Sequence, residues 1–338
     1  MEKKVICGEQ PVFTVLVAVY NAAPTIERCL DSLLAQTERC LQIVCVDDAS
    51  TDNSLDILHS YRERDGRVEV VEGGENGGPA VARNRGLAVA RGQYTAFLDS
   101  DDWFSPDALE KCREAFEADE KVDCVLFDVV YADDVDGCQK PHEGNMCGTI
   151  SGQEAFEQCL TWGIHGWYAV RTDLHSRFPY DDSYRTYSDD NTTRLHYLHS
   201  RLVSSCRGKY FYFQRDESVT HTCDLSQLNR LFSAASMKRH LLALGVEDRL
   251  ISVFETQRWL LVIDACFFLY CNRKILTKED MQTALCDVRR QWESIEVRRV
   301  ARRHRWHLGL WPLHFSWRLF CLQEWTYFTL RRLAGHDR

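Results

Sequence analysis

The 338 residues are 45% hydrophobic and 27% charged, proportions ordinary for a folded chain and sufficient for a large core divided into two or three lobes. With 50 Asp and Glu against 41 Lys and Arg the net charge is -9, which excludes a general nucleic-acid binder. The 15 cysteines include no Cys-x-x-Cys pair, and most, among them Cys29, Cys45, Cys124, Cys159, Cys266 and Cys271, lie in apolar runs; they read as reduced, buried thiols rather than as disulfides or a zinc site.

The opening stretch MEKKVICGEQPVF is too short in apolar residues for a signal peptide, and no apolar run reaches the roughly 18 residues of a membrane span, so the expected place of action is inside the cell. Phe13 to Tyr20 is apolar and branched with no helical period, predicting a buried strand. Asn21 to Pro24 turn the chain, and Thr25 to Gln36 place Ile26, Cys29, Leu30, Leu33 and Leu34 on one helical face. Leu41 to Val46 predict a second strand, ending in Asp47 and Asp48. Thr51 is the expected N-cap of a helix carrying Leu55, Ile57 and Leu58, and Val68 to Val71 make a third strand. This alternation predicts a parallel sheet with helices on its faces.

In such sheets ligands bind beyond the carboxyl ends of the strands, and polar residues collect there: Tyr20 and Asn21, Asp47 and Asp48, Asn76 to Gly78, and Asp99 to Asp102. No Gly-x-Gly-x-x-Gly follows the first strand, so the dinucleotide fingerprint is missing. Pro79 opens a predicted helix from Ala80 to Ala90, whose Arg83 is a candidate to neutralise phosphate or to hold the acidic cluster; the bland alternative is a solvated helix arginine. Tyr94 to Leu98 predict a short strand that ends in Asp99, Ser100, Asp101 and Asp102. Crowded carboxylates repel unless a divalent cation sits among them. The rival reading makes Asp101 or Asp102 the cap of the helix announced by Pro106 and Asp107.

The runs VFTVLVAVYNAAPTIERCLDSLLAQT, IVCVDDASTDNS, NGGPAVARNRGLAVARGQYTAFLDSDDW and SPDALEK, in this order and spacing, resemble the nucleotide-binding half of family 2 glycosyltransferases over Val12 to Lys111. The resemblance implies a GT-A fold: an α/β, Rossmann-like, mainly parallel sheet flanked by helices, here with a helical C-terminal extension. It implies that Val19, Tyr20 and Asn21 wrap a nucleobase, that Asp48 hydrogen-bonds the base, that Asp99 lies near the ribose and that Asp101 holds a Mg²⁺ or Mn²⁺ ion bridging the diphosphate, with Asp99 beside it. Asn76, Gly77, Arg83 and Ser100 complete the expected nucleotide-sugar site.

In the second half, Leu109 to Phe116 continue a helix, Val122 to Tyr131 predict a strand, and Asp133 to Gly148 read as a loop without period. Trp167 to Val170 predict a strand, and Asp189 and Asp190 precede a helix from Thr192 to His199. By resemblance an acid at this helix start is the catalytic base; Asp190 is the first choice and Asp189 the second, against the alternative that they only cap. Lys209 to His221 form an aromatic strand and polar return that the resemblance folds across the donor, with Arg215 toward the diphosphate and His221 as a third metal ligand or phosphate contact, against the alternative of a structural or surface histidine.

The expected division is 1–222 for the transferase domain, with halves 12–111 and 112–222, and 223–338 for a helical region. Its helices are predicted over Leu228 to Leu244, Leu250 to Cys271 and, behind a cap at Thr277, Met281 to Trp292. The stretch 298–332 alternates arginines with Trp, Leu and Phe. It reads either as a peripheral segment on an anionic membrane, at the inner face of the cell membrane, or as helices burying their aromatics.

The function so predicted is a metal-dependent, inverting transfer of a sugar from a nucleotide-sugar, a UDP-sugar by expectation, to a hydroxyl of a glycan or lipid-linked glycan in surface polysaccharide synthesis. The rivals are a sugar-nucleotide nucleotidyltransferase, which needs a basic loop after the first strand where Tyr20 to Pro24 offer none, and a sugar-binding module without chemistry.

Overall fold

Strand β1 (Phe13–Val19) is the centre from which the first unit grows. Its odd-numbered residues Phe13, Val15, Val17 and Val19 pack into one apolar layer with Ile26, Leu30 and Leu33, while Leu16 packs with Val44, Val46, Ala80 and Ala82 on the other side. A strand buried on both faces must be apolar throughout, which is why no alternation marks it in the sequence. The computed structural model describes residues 10–133, 137, 139–187, 189–214, 225–301, 304 and 316–334. The chain divides into two compact units, Met1–Ser218 and Val219–Arg338.

In the first unit the chain continues through α1 (Ile26–Leu34), β2 (Leu41–Asp47), α2 (Ser54–Arg64), β3 (Val68–Glu72), α3 (Pro79–Leu87) and β4 (Tyr94–Phe97). Then come β5 (Trp103–Phe104), α4 (Ala108–Ala118), β6 (Val122–Ala132), β7 (Gln139–Pro141), β8 (Thr149–Ser151), α5 (Gly152–Leu160), β9 (Tyr168–Arg171), α6 (Thr172–Arg177), α7 (Asp189–His199) and β10 (Leu202–Phe213). The sheet order is β3-β2-β1-β4-β9-β6-β10-β5. Strands β3, β2, β1 and β4 are parallel, whereas β9 runs antiparallel to both β4 and β6. Strand β1 lies between β2 and β4, so successive connections leave it in opposite directions and open a crevice at its carboxyl end.

Four expectations are corrected. Thr51 is not a cap: α2 begins at Ser54, whose N–H and hydroxyl both donate to the Asp52 carboxylate. Neither Asp101 nor Asp102 caps α4, whose N-cap is Asp107. Asp189 and Asp190 do not precede α7 but form its first turn. The loop read over Asp133 to Gly148 contains strand β7, paired with β6.

The second unit holds a 3₁₀ turn (Leu225–Leu228), α8 (Asn229–Ala243), α9 (Asp248–Asn272), α10 (Lys278–Glu293) and α11 (Trp317–Leu333). Thr277 caps α10 by accepting from the Asp280 N–H, as its spacing predicts. Its core gathers Trp259, Val262, Leu269, Trp292, Phe320 and Phe328. The aromatics of Trp317–Leu333 are thus packed on α9 and α10, while Leu319, Leu322, Leu330 and Leu333 of the same helix stay exposed. Glu324 is buried in this core, and neither carboxylate oxygen has a hydrogen-bond partner. The remaining tail aromatics, Trp306 to Phe315, lie outside the described residues. Among the described residues no helix is long and apolar enough to cross a membrane. The described cysteines are free thiols, mostly buried; Cys271, expected inside, is exposed.

Candidate active site

The loops beyond β1, β2 and β3 are tied into one rim. Asn21 takes φ 50° and its side-chain oxygen accepts from the Thr51 N–H (2.8 Å) and hydroxyl (3.2 Å). Asp48 is buried, and a buried carboxylate must be bonded to be tolerated. Its Oδ1 accepts from Gly77 N–H (3.1 Å) and Arg85 Nη1 (3.0 Å), and its Oδ2 from Gly78 N–H (2.6 Å). Gly78 stands at φ 89°, a conformation that glycine alone adopts freely, so the turn can aim two successive N–H groups at the acid. Asn76 accepts from Arg185. Val19 is buried, whereas the Tyr20 ring is exposed beside this rim.

The three acids after β4 have separate fates. Asp102 is buried and bolts the turn to β10: Oδ2 accepts from the Tyr210 hydroxyl (2.7 Å) and Oδ1 from the Phe213 N–H (2.8 Å). Burial, and behind it Asp99 and Asp101, pushes its pKa well up. Asp99 accepts from Arg83 Nη2, and its own N–H donates to the Tyr210 hydroxyl (3.2 Å). Burial raises the Asp99 carboxyl, Arg83 pulls it back, and Asp101 adds to the rise. Ser100 and Asp101 are half-buried in the turn between them, held through the Asp101 carbonyl, which accepts from Arg28 Nη2 (2.7 Å).

Arg83 joins this turn to α7. Its guanidinium is 5% exposed, bonds Asp99 and, through Nη1, Asp189 Oδ2 (3.3 Å), and lies over the rings of Phe97 (4.5 Å) and Tyr180 (5.4 Å). Burial opposes the charge, but Asp99, Tyr180 and Asp189 outweigh it and hold the pKa above its ordinary value. The solvated-arginine alternative is therefore excluded. Asp189 and Asp190 sit where the free N–H groups of a helix start favour acids. Burial pushes Asp190 up to about 7, with Arg194 opposing and Asp189 reinforcing.

Arg83, Asp99, Asp189 and Asp190 share one cavity of about 330 Å³, whose other walls are Trp162, Trp167, Tyr168, Tyr180 and the imidazoles of His142 and His165. These aromatic and histidine walls were not among the expected site residues; Gly163 to Trp167, a cluster of Gly, His and Trp, is the signal that marks them in the sequence. Arg215 and His221 lie outside the described residues, and among the described residues no three acids, histidines or cysteines are grouped as a metal cage.

Residues 14–175 match the family model "Glycosyl transferase family 2". Poly(ribitol-phosphate) beta-glucosyltransferase of Bacillus spizizenii is 44% identical over 99 residues, which make up 28% of this chain and 16% of that enzyme. The chain spans less than half the length of most of the curated relatives it matches. The 1–349 fragment of S. aureus TarS in complex with UDP-GlcNAc superposes with a TM-score of 0.72 at 18% identity, covering 96% of this chain and 93% of that one. The mannosyltransferase PcManGT of Pyrobaculum calidifontis in complex with GDP-Man and Mn²⁺ gives 0.51 at 17% identity, covering 98% and 89%. The fold is GT-A, and its residues 14–175 are similar to glycosyl transferase family 2.

Proposed function

We propose that the chain is an inverting, metal-dependent glycosyltransferase that moves a sugar from a UDP-sugar to a hydroxyl of a glycan or lipid-linked glycan in surface polysaccharide synthesis. The observation that carries this reading is the shared cavity: an acid of the strand-end cluster, a buried guanidinium and a helix-start acid with a raised pKa face one aromatic-walled space of sugar size. The UDP-GlcNAc of the TarS complex supports a uridine donor, and the name of the Bacillus spizizenii relative supports a polymeric acceptor.

Asp190 takes the proton of the acceptor hydroxyl. A base works best when its pKa lies near the working pH, and burial supplies that match here. Asp189 stays paired with Arg83, which fixes the helix start and with it the position of its neighbour. Asp48 orders the Gly77–Gly78 turn as the floor for the base, and Tyr20 is free to stack on it. Asp99 and Asp101 suit a hard divalent cation: they are oxygen donors, and at Asp99 burial together with the neighbouring Asp101 disfavours the charged carboxylate, a cost that a nearby positive charge relieves. Asp99 and Asp101 would hold a Mg²⁺ or Mn²⁺ ion, which would supply Lewis-acid stabilisation of the departing diphosphate. Arg215 and His221 remain part of this proposed donor site. Separately, the leucines that Trp317–Leu333 leaves exposed are proposed to contact an anionic membrane, at the inner face of the cell membrane.

The test is turnover of UDP-sugars with and without Mn²⁺ by native protein and by Asp190→Asn. The variant keeps UDP binding and loses transfer; a variant that transfers normally would remove Asp190 from the mechanism.

A further inference from the structure

Helix α5 ends in a turn whose hydrogen bonds fix the conformation of one residue. The Gly163 N–H donates to the Gln158 carbonyl (2.9 Å) and the Trp162 N–H to the Cys159 carbonyl (3.1 Å), the paired bonds with which helices stop by turning one residue left-handed. That residue is Trp162, at φ 57°. Glycine usually fills such a place because a Cβ there crowds the backbone, and a bulky ring is a rare occupant. The glycine of this turn stands one position later, at Gly163. Burial does not offset the strain, since Trp162 remains 43% exposed. Strained residues of this kind persist where their surroundings over-determine them, and they gather at active sites. Among the described residues all four non-glycine residues with positive φ do so here: Asn21 and Ala49 lie on the rim with Asp48, Tyr187 stands two residues before Asp189, and Trp162 lines the cavity.

The ring is held against the helix of the proposed base. The Arg194 guanidinium of α7 lies over it at 4.9 Å, and the same cation opposes the rise of the Asp190 carboxyl. The segment from Trp162 to Trp167 is pinned to α7 twice more: the Tyr197 hydroxyl donates to the His165 carbonyl (2.7 Å), and a Cβ on Gly166 would meet Thr193 Oγ1 at 3.1 Å. Trp162 therefore lies on the Asp190 side of the cavity. In the transfer proposed above Asp190 takes the proton of the acceptor hydroxyl, so the substrate that comes to Trp162 is the acceptor. A flat indole buries the C–H face of a sugar ring, whereas an open-chain polyol presents no such face.

We propose that Trp162 is the platform on which the acceptor stacks, a specificity-determining residue that requires the acceptor to end in a sugar ring. This rests on the transferase reading above.

Two variants of the full chain separate platform from scaffold. Trp162→Gly suits the left-handed position and deletes the ring; Trp162→Phe keeps an aromatic face in the same strained place. The assay is UDP release from UDP-GlcNAc and UDP-glucose with Mn²⁺, in water alone, with a panel of methyl glycopyranosides and with open-chain ribitol as acceptors, beside the melting temperature. We expect Trp162→Gly to melt no earlier than the native protein, to keep the donor KM and to raise the KM of the preferred glycopyranoside about tenfold, the worth of one aromatic stacking contact, while Trp162→Phe retains most of the native value. An unchanged acceptor KM in Trp162→Gly overturns the proposal, as does a Trp162→Gly that melts early with donor and acceptor KM raised alike, the mark of a scaffold. Native protein that releases UDP but takes no glycopyranoside overturns it too. Native protein that neither binds UDP nor releases it from either donor sinks the transferase reading itself.

Discussion

The raised pKa of Asp190 gives the proposed base a signature that can be moved in both directions. With the carboxyl at about 7, only about one molecule in ten carries the working carboxylate at pH 6 and about nine in ten at pH 8, so kcat/KM should climb roughly tenfold across that interval. The sign follows from the role: a base must be deprotonated, so activity falls as pH drops through the pKa. Arg194 holds this pKa down and Asp189 holds it up, behind the larger effect of burial. Arg194→Met should therefore shift the rising limb to higher pH, and Asp189→Asn should shift it to lower pH. The assay is UDP release from saturating and subsaturating UDP-sugar between pH 5 and 9, with a buffer series at constant ionic strength. Limbs that stay put in both variants, or that move the same way, would refute Asp190 as the titrating base. If Asp189→Asn abolishes transfer and Asp190→Asn does not, the two acids exchange roles.

Asp101→Ala should abolish Mn²⁺-stimulated donor turnover with an unchanged circular dichroism spectrum; full stimulation in that variant would remove it from the metal site. Arg83→Leu leaves Asp99 and Asp189 without their shared cation. Because both acids are partly exposed, the cost should fall near the lower end for broken buried pairs, about 3 kcal/mol, read from urea midpoints. Tyr210→Phe deprives buried Asp102 of its hydroxyl donor and should lose about 1–3 kcal/mol by the same measurement; an unchanged midpoint would mean that Asp102 is not the bolt described. Burial pushes Glu324 up to about 7 from its ordinary 4.5, so the folded state binds this proton more tightly than the unfolded one. Its stability contribution is full below pH 4.5 and is lost as pH rises through 7; Glu324→Gln should match the native protein near pH 5 and exceed it by about 3 kcal/mol at pH 8. Equal pH dependence of the two would contradict that burial.

The parallel half of the sheet was legible because strands buried on both faces are written as unbroken apolar runs, as in Phe13 to Val19 and Leu41 to Val46. The strand-end acids were legible because no apolar core accounts for them. What failed was side-chain direction. Three carboxylates in a row look equivalent in sequence, yet Asp102 turns inward to Tyr210 while Asp99 meets Arg83. Thr51 looked like a cap, but Asp52 lies closer to the first free N–H groups of the helix. His142 sat in a stretch without period, and only the pairing of β7 with β6 carries it to the cavity. Cys271 follows an apolar run on α9 but comes out on the wet side of that helix. The aromatics of Trp317–Leu333 could equally have faced lipid; the helical core supplied partners for Phe320 and Phe328 that sequence cannot show.

The sharing of Arg83 between Asp99 and Asp189 has a bearing on the order in which substrates arrive. The guanidinium is a rigid fork that holds Asp189 through Nη1 and Asp99 through Nη2, so in the proposed reaction a displacement at the diphosphate end would be felt by the helix that bears the proposed base. By reciprocity, an acceptor that settles against that helix tightens or weakens the donor by the same factor. Saturation curves for the two substrates should thus be interdependent, and removing the guanidinium should make them independent.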